Sequence, residues 1–295
     1  MFEIFGIPSQ ALFGQLLLGL INGSFYALLS LGLAVIFGML NIINFAHGAQ
    51  YMMGAFTAYL LLQHVGIGYW ESLLIAPIVI GATGILVERL FLTRLRKLDP
   101  LYGLLLTFGL AIVIEGLFRN EYGSSGLPYQ VPESLQGGHN LGFMFLPNYR
   151  AWVIVLSLAV CLATWFAIER TRLGSYLRAA TENPVLVRAF GINVPRMVTL
   201  TYGFGVGLAA LAGVMAAPIY NVSPQMGSDL IIVVFAVVVI GGMGSILGAI
   251  LTGFTLGIVE GLTKVFFPEA SNTVIFVIMA IVLLIRPAGF FGRTA

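Results

Sequence analysis

Eight apolar runs fill this chain of 295 residues, and they decide the solvent in which it folds. They cover residues 11–37, 42–62, 73–92, 101–118, 151–168, 198–219, 230–262 and 273–285. A hydrocarbon layer about 30 Å thick takes about 20 apolar residues of helix to cross. Helices satisfy their backbone polar groups within one segment, so runs of this length read as an all-α polytopic membrane protein. Charged residues make up 9% of the chain, against about 25% in soluble domains. With a hydrophobic share of 59% and a mean hydropathy of +1.00, this excludes an ordinary soluble domain, a disordered chain and a disulfide-built scaffold. The whole of residues 1–295 reads as one membrane domain of about eight to nine transmembrane helices, some broken or short.

The breaks sit at glycine and proline. Residues 230–262 are too long for one span and carry Gly241-Gly242-Met243-Gly244-Ser245 in the middle, so two crossings joined by a glycine turn are expected. Glycine occurs 36 times, well above its usual share of about 7%. It recurs as Gly19-x3-Gly23, Gly203-x3-Gly207, Gly244-x3-Gly248 and Gly253-x3-Gly257-x3-Gly261. Such spacing lets helix backbones approach closely, and internal packing is the expected use, with a dimer interface as the alternative.

Basic residues orient the chain. Arg89, Arg94, Arg96 and Lys97 form one cluster, Arg170, Arg172, Arg178, Arg188 and Arg196 a second, and Arg286 and Arg293 close the chain. Positive residues favour the cytoplasmic side, which places all three clusters there. Residues 119–150 hold two basic residues and several glycines and prolines, and read as an extracytoplasmic loop. No basic residue precedes Arg89, so the first run is expected to act as its own insertion signal with an external N-terminus. Residues 169–196 are the one sizeable cytoplasmic element. A short helix over residues 176–190 is expected there, broken at Pro184 and stopped at Gly191.

Catalysis finds no footing. His47, His64 and His139 lack metal-ligand spacing, and the single cysteine, Cys161, excludes an internal disulfide. There is no Gly-x-Ser-x-Gly elbow and no phosphate-binding Gly-x4-Gly-Lys loop, so ATP chemistry would need another chain. The small net charge of +2 gives no reason to expect nucleic acid. Glu115 with Arg119, and Glu260 with Lys264, have the i,i+4 spacing of helical ion pairs, which is the simpler reading beside a role in a transport path. Asp229, after Ser228 at the start of a run, is expected to cap a helix and complement its dipole, the simpler reading beside a path role. The scarcity of mid-span carboxylates argues against proton or sodium coupling.

Polar residues inside apolar runs mark candidate path positions. Asn41, Asn44, His47 and Gly48 interrupt the second run, and Asn22, Ser24 and Tyr26 the first. Broken helices often build the substrate route of transporters. The plainer alternatives are a cytoplasmic turn with His47 capping the next helix, and polar side chains bonding a neighbouring helix.

Four motifs, in order along nearly the whole chain, carry a resemblance. They are Asn44-Phe45-Ala46-His47-Gly48, Arg178-Ala179-Ala180-Thr181-Glu182-Asn183-Pro184 with Ala189-Phe190-Gly191-Ile192-Asn193, the glycine turn with Gly248, and Arg286-Pro287-Ala288-Gly289-Phe290-Phe291-Gly292. Together they resemble the permeases of branched-chain amino-acid ATP-binding-cassette importers. The chain's length resembles the H-type (LivH-like) subunit of the Liv importer, while urea and short-amide permeases share the motifs. The resemblance implies the importer permease fold and no enzyme activity or cofactor on this chain, with ATP and Mg on partner subunits. It implies a second (LivM-like) permease, two ATPases (LivG-like and LivF-like), an extracytoplasmic binding protein and a location in the bacterial inner membrane. Residues 169–196 would dock the ATPases through Arg178, Glu182, Asn183, Arg188, Gly191, Ile192 and Asn193. Gly241, Gly242, Gly244 and Ser245 join Asn22, Ser24, Tyr26, Asn41, Asn44, His47 and Gly48 as candidates for the path. A stand-alone channel or secondary transporter is the alternative of another class.

Overall fold

The structure is a computed structural model and describes residues 3–4, 7–40, 43–95, 98–142 and 144–292. Arg96, Lys97 and Arg293 lie outside the described residues, as does Asn41. A short antiparallel pair, β1 (Glu3–Ile4) and β2 (Ile7–Pro8), leads into α1 (Ser9–Leu40), and α2 (Ala46–Leu60) follows. α2 widens into one π turn, Leu61–Val65, and stops at Gly66, whose φ is 73°. α3 (Tyr69–Val87) runs through a second π turn, Glu88–Leu92, into the single turn α4 (Thr93–Leu95). α5 (Pro100–Tyr122) starts on the Asp99 carboxylate, which accepts the Leu101 amide at 2.9 Å. The hairpin β3 (Gly138–Asn140) and β4 (Phe145–Pro147) precedes α6 (Asn148–Glu169).

Two shorter helices follow, α7 (Arg172–Glu182) and α8 (Pro184–Ala189). The expected break at Pro184 and stop at Gly191 are found, with Gly191 at φ 82°, but the helix begins at Arg172 rather than at residue 176. α9 (Val194–Tyr220), α10 (Met226–Gly241), α11 (Ile246–Phe266) and α12 (Val274–Ile285) complete the bundle. Residues 230–262 thus form two helices that pack together, joined by the glycine turn.

By length and composition, six helical segments among the described residues can cross a membrane: α1, α3 with its extension, α5, α6, α9 and α11. α10 and α12 are shorter apolar helices. α2 is surrounded by protein, and its buried His47, Gln50 and Tyr51 lower its hydropathy without exposing polarity to lipid.

The helices divide into a centre and a shell. The apolar window of α1 is 83% buried and that of α9 78%, against 11% for α5 and 22% for α6. The centre closes through small residues. A Cβ added at Gly257 would lie 2.4 Å from the Gly23 backbone, and one at Gly19 would lie 2.5 Å from the Gly257 carbonyl oxygen. The two spaced sets of α1 and α11 therefore face each other. Gly203 and Gly207 of α9 meet Gly81 and Pro77 of α3 in the same manner. Each set packs helices of one chain, as expected of internal packing.

Aromatic groups mark one end of the bundle. Tyr149 donates to the Met215 carbonyl at 2.8 Å, and the Tyr69 and Tyr149 hydroxyls lie 3.1 Å apart. The Trp70 and Trp152 rings are 5.2 Å apart. Such residues sit where a membrane meets water. This is the hairpin end; α7, α8 and the glycine turn lie at the other.

Candidate translocation site

Near the hairpin end, α1, α2, α9 and α10 line an open-mouthed cavity of ≈ 300 Å³. Asn22 and Tyr26, one helical turn apart on α1, line it with Phe25. Tyr51 of α2, Tyr220 at the end of α9, Ser223, and Met226, Asp229 and Leu230 of α10 complete the wall. Hydrogen bonds tie this wall to α11. Tyr220 donates to Asn22 Oδ1 at 2.7 Å, Asn22 Nδ2 to Glu260 Oε1 at 3.4 Å, and Tyr26 to Glu260 Oε2 at 2.6 Å. Lys264 pairs with Glu260 one turn along, so the carboxylate is both neutralised and hydrogen-bonded. Ser24 turns away and donates to the Leu20 carbonyl at 2.9 Å. Asp229 sits in the first turn of α10, where a negative charge suits the helix dipole. The dipole half of the expectation is met and the capping half is not: the cap position is Gln225, with no side-chain bond.

A second polar cluster lies at the start of α2. Asn44 Nδ2 donates to Gln50 Oε1 at 3.2 Å, and fully buried His47 bonds the Leu29 carbonyl of α1 at 3.0 Å through Nε2. His47 therefore ties α2 to α1 and does not cap its own helix, whose cap position is Phe45. Gly48 lets α2 meet α10, since an added Cβ would lie 2.5 Å from the Gly227 oxygen. Asn44 Oδ1, His47 Nδ1 and the Tyr202 hydroxyl are buried without a partner among the described residues.

At the opposite end a cavity of ≈ 500 Å³ gathers several of the remaining candidates. Arg178 and Glu182 of α7, Gly244 and Ser245 of the turn, and Gly38 of α1 line it. Arg178 reaches the Ile168 carbonyl at 3.2 Å and Glu169 at 3.3 Å. Ser245 caps α11 by accepting the Gly248 amide at 3.1 Å. Gly241 packs on Gly248, and Gly242, at φ 101°, lies under the C-terminal segment. Phe290 N donates to the Ile240 carbonyl at 2.9 Å and Phe291 N to that of Gly241 at 3.1 Å, so two of the four sequence motifs meet in space.

α7 and α8 form a bracket on α9. Asn183 caps α8 by accepting the Leu186 amide at 3.0 Å, and Asn193 caps α9 by accepting that of Arg196 at 3.1 Å. Ala180, Val187, Val194 and Val198 make a small buried cluster, with Ile192 packed against it. Val185, Leu186 and Phe190 project outward beside exposed Arg188, and Phe190 is 77% exposed.

The comparisons with known proteins fit this geometry. A family model described as the permease component of the branched-chain amino acid transport system matches residues 15–283. The chain belongs to that family. It is 32% identical over 292 residues to the high-affinity branched-chain amino acid transport system permease protein BraD of Pseudomonas aeruginosa, covering 95% of each chain. To LivH of Escherichia coli K12 it is 31% identical over 294 residues, again covering 95% of each. LivM of the same bacterium, named as a permease of the same kind of system, is 28% identical over 91% of this chain and 68% of its own length. No solved structure matches. The chain is thus a multi-pass membrane permease, in a family whose systems include a second permease subunit.

Several residues of these sites escaped the sequence reading. Tyr51 and Tyr220 look like ordinary aromatic members of apolar runs, and only the packing of α2 and α9 on α1 brings them to Asn22 and Tyr26. Glu88 sits beside Arg89 where an apolar run meets the first basic cluster, yet it is fully buried and accepts Thr199 at 2.6 Å and Thr93 at 3.0 Å. The i,i+4 signal did find Glu260 with Lys264 and Glu115 with Arg119 as pairs. It carried no hint that Glu260 also anchors Asn22 and Tyr26.

Proposed function

We propose that this chain is the permease subunit of an ATP-binding-cassette importer that carries branched-chain amino acids across the bacterial inner membrane. A second, homologous permease completes the membrane part. Two ATPase subunits hold ATP and Mg and supply the energy, and an extracytoplasmic binding protein delivers the amino acid. The family match over residues 15–283 carries this reading.

Two features of the molecule support it. The α7–α8 bracket presents Val185, Leu186 and Phe190 with Arg188 at the end opposite the hairpin, a surface an ATPase can grip. The bracket is clamped to α9 through the Val187–Val194 cluster, so a push on it moves a central helix. In this account Arg178, Glu182, Asn183, Arg188, Gly191, Ile192 and Asn193 shape or form the docking element. Asn22 and Tyr26 of α1, the polar start of α2 and the glycine turn border the route, residues 119–150 face outward and residues 169–196 the cytoplasm.

Proteoliposomes holding this chain, its companion permease and both ATPases test the proposal. With binding protein and ATP present, labelled leucine is taken up, and unlabelled isoleucine or valine competes. Urea uptake without leucine uptake overturns the substrate, and uptake by this chain alone without ATP overturns the importer.

A further inference from the structure

The hairpin-end cavity holds two polar groups that the protein leaves unmatched. Asp229 is exposed at the mouth of the cavity, and its carboxylate makes no hydrogen bond or ion pair among the described residues, whereas Glu260 is taken by Lys264, Tyr26 and Asn22. The Tyr51 hydroxyl has no hydrogen-bond partner among the described residues, although its residue is 1% exposed. Tyr51 and Asp229 both line this cavity. The apolar side chains of Phe25, Met226 and Leu230 line the same cavity.

A free anion, a free hydroxyl donor and an apolar wall in one cavity of ≈ 300 Å³ describe a particular kind of guest. It has a cationic group for the carboxylate, an acceptor for the phenol and a compact hydrocarbon part. A small-molecule site combines mostly apolar lining with a few placed polar groups in this way. Burying a polar group without a partner is costly, so the phenol favours a guest that accepts from it.

We propose that this cavity is a transient subsite for an α-amino acid with an aliphatic side chain. Asp229 receives the ammonium group, Tyr51 donates to the carboxylate, and Phe25, Met226 and Leu230 surround the side chain. The subsite rests on the transport function proposed above and adds a recognition step inside the membrane, after the binding protein has released its cargo. Asn22, Tyr26 and Tyr220 are positioning residues here, because their hydrogen bonds are made to one another and to Glu260.

The test uses the complete importer in proteoliposomes, with labelled leucine and varied concentrations of loaded binding protein. Asp229→Asn is expected to lower maximal uptake about tenfold, the scale of one lost charge-assisted bond, while the KM for loaded binding protein stays at the parent value. Asp229→Glu recovers most of the rate. Tyr51→Phe keeps the shape of the buried ring, so it reads the same split in a variant that retains the core. Parent rates in both Asp229→Asn and Tyr51→Phe overturn the subsite with the importer intact. A rise in KM that accounts for the whole loss also overturns it, since Asp229 then serves docking of the binding protein. A parent complex that takes up no leucine removes the transport reading and the subsite with it.

Discussion

The seam between α1 and α11 and the outer faces of α5 and α6 are both apolar helix surfaces, yet they are built from different residues. The seam uses Gly19, Gly23, Gly253, Gly257 and Gly261, where backbone meets backbone. The outer faces carry Leu105, Ile112, Leu117, Val155 and Phe166, all exposed. Lipid tails are as apolar as leucine, so hydrophobicity does not draw helices together within a membrane; close packing and hydrogen bonds do. The centre therefore tolerates glycine and polar groups, including Asn22, Ser30, Asn44, His47 and Gln50. The shell relies on bulk: its glycines Gly109 and Gly116 on α5 have nothing within 4 Å of an added Cβ, so they bring no backbones together.

The sharpest way to break this contrast is to place bulk in the seam. Gly257→Leu puts side-chain atoms where Gly19 and Gly23 leave only backbone, which cannot rotate aside. The cost should exceed the about 1–3 kcal/mol usual for overpacking, read as loss of monodisperse protein on extraction or a large drop in unfolding temperature. Parental stability would mean that α1 and α11 do not meet through these glycines. Next comes Glu260→Gln, which keeps the shape but removes the charge facing Lys264 and the acceptor strength offered to Tyr26. A loss of about 1–3 kcal/mol is expected for weakening a buried charge-assisted network, measured by thermal unfolding in detergent. The smallest effect belongs to the shell: Ile112→Ala, at a position 56% exposed, should stay within about 0.5 kcal/mol. A larger loss there would show that this face of α5 is covered by protein.

The same contrast explains what the sequence made legible. Regular small-residue spacing announced the seam, because close approach has one chemical solution at one helical period. Proline and glycine announced the α7–α8 break for a similar reason: Pro184 suits a first helical turn and Gly191 accepts a positive φ. The cavity was half visible. Asn22 and Tyr26 stand out in an apolar run, but Tyr51 and Tyr220 come from helices whose rotation about α1 no local pattern encodes. Asp229 read as a cap because a carboxylate beside Ser228 at the head of an apolar run has a sufficient local explanation. The structure moves it into the first turn of α10 and beside the cavity. Glu88 stayed hidden because its burial depends on Thr199, 111 residues away in the chain.

The central claim is that protein-packed central helices hold the water-accessible route inside a lipid-facing shell. Single cysteines test it most directly, with the buried native Cys161 replaced by alanine. Leu230→Cys lines the cavity, and Ile112→Cys lies on the exposed face of α5. A membrane-impermeant maleimide is applied from outside to the importer in membranes, before and after adding ATP with loaded binding protein. The account predicts that Leu230→Cys labels and that its rate changes with ATP, while Ile112→Cys stays unlabelled throughout. Labelling of Ile112→Cys with Leu230→Cys protected would contradict it, placing water at the shell and lipid or protein at the cavity.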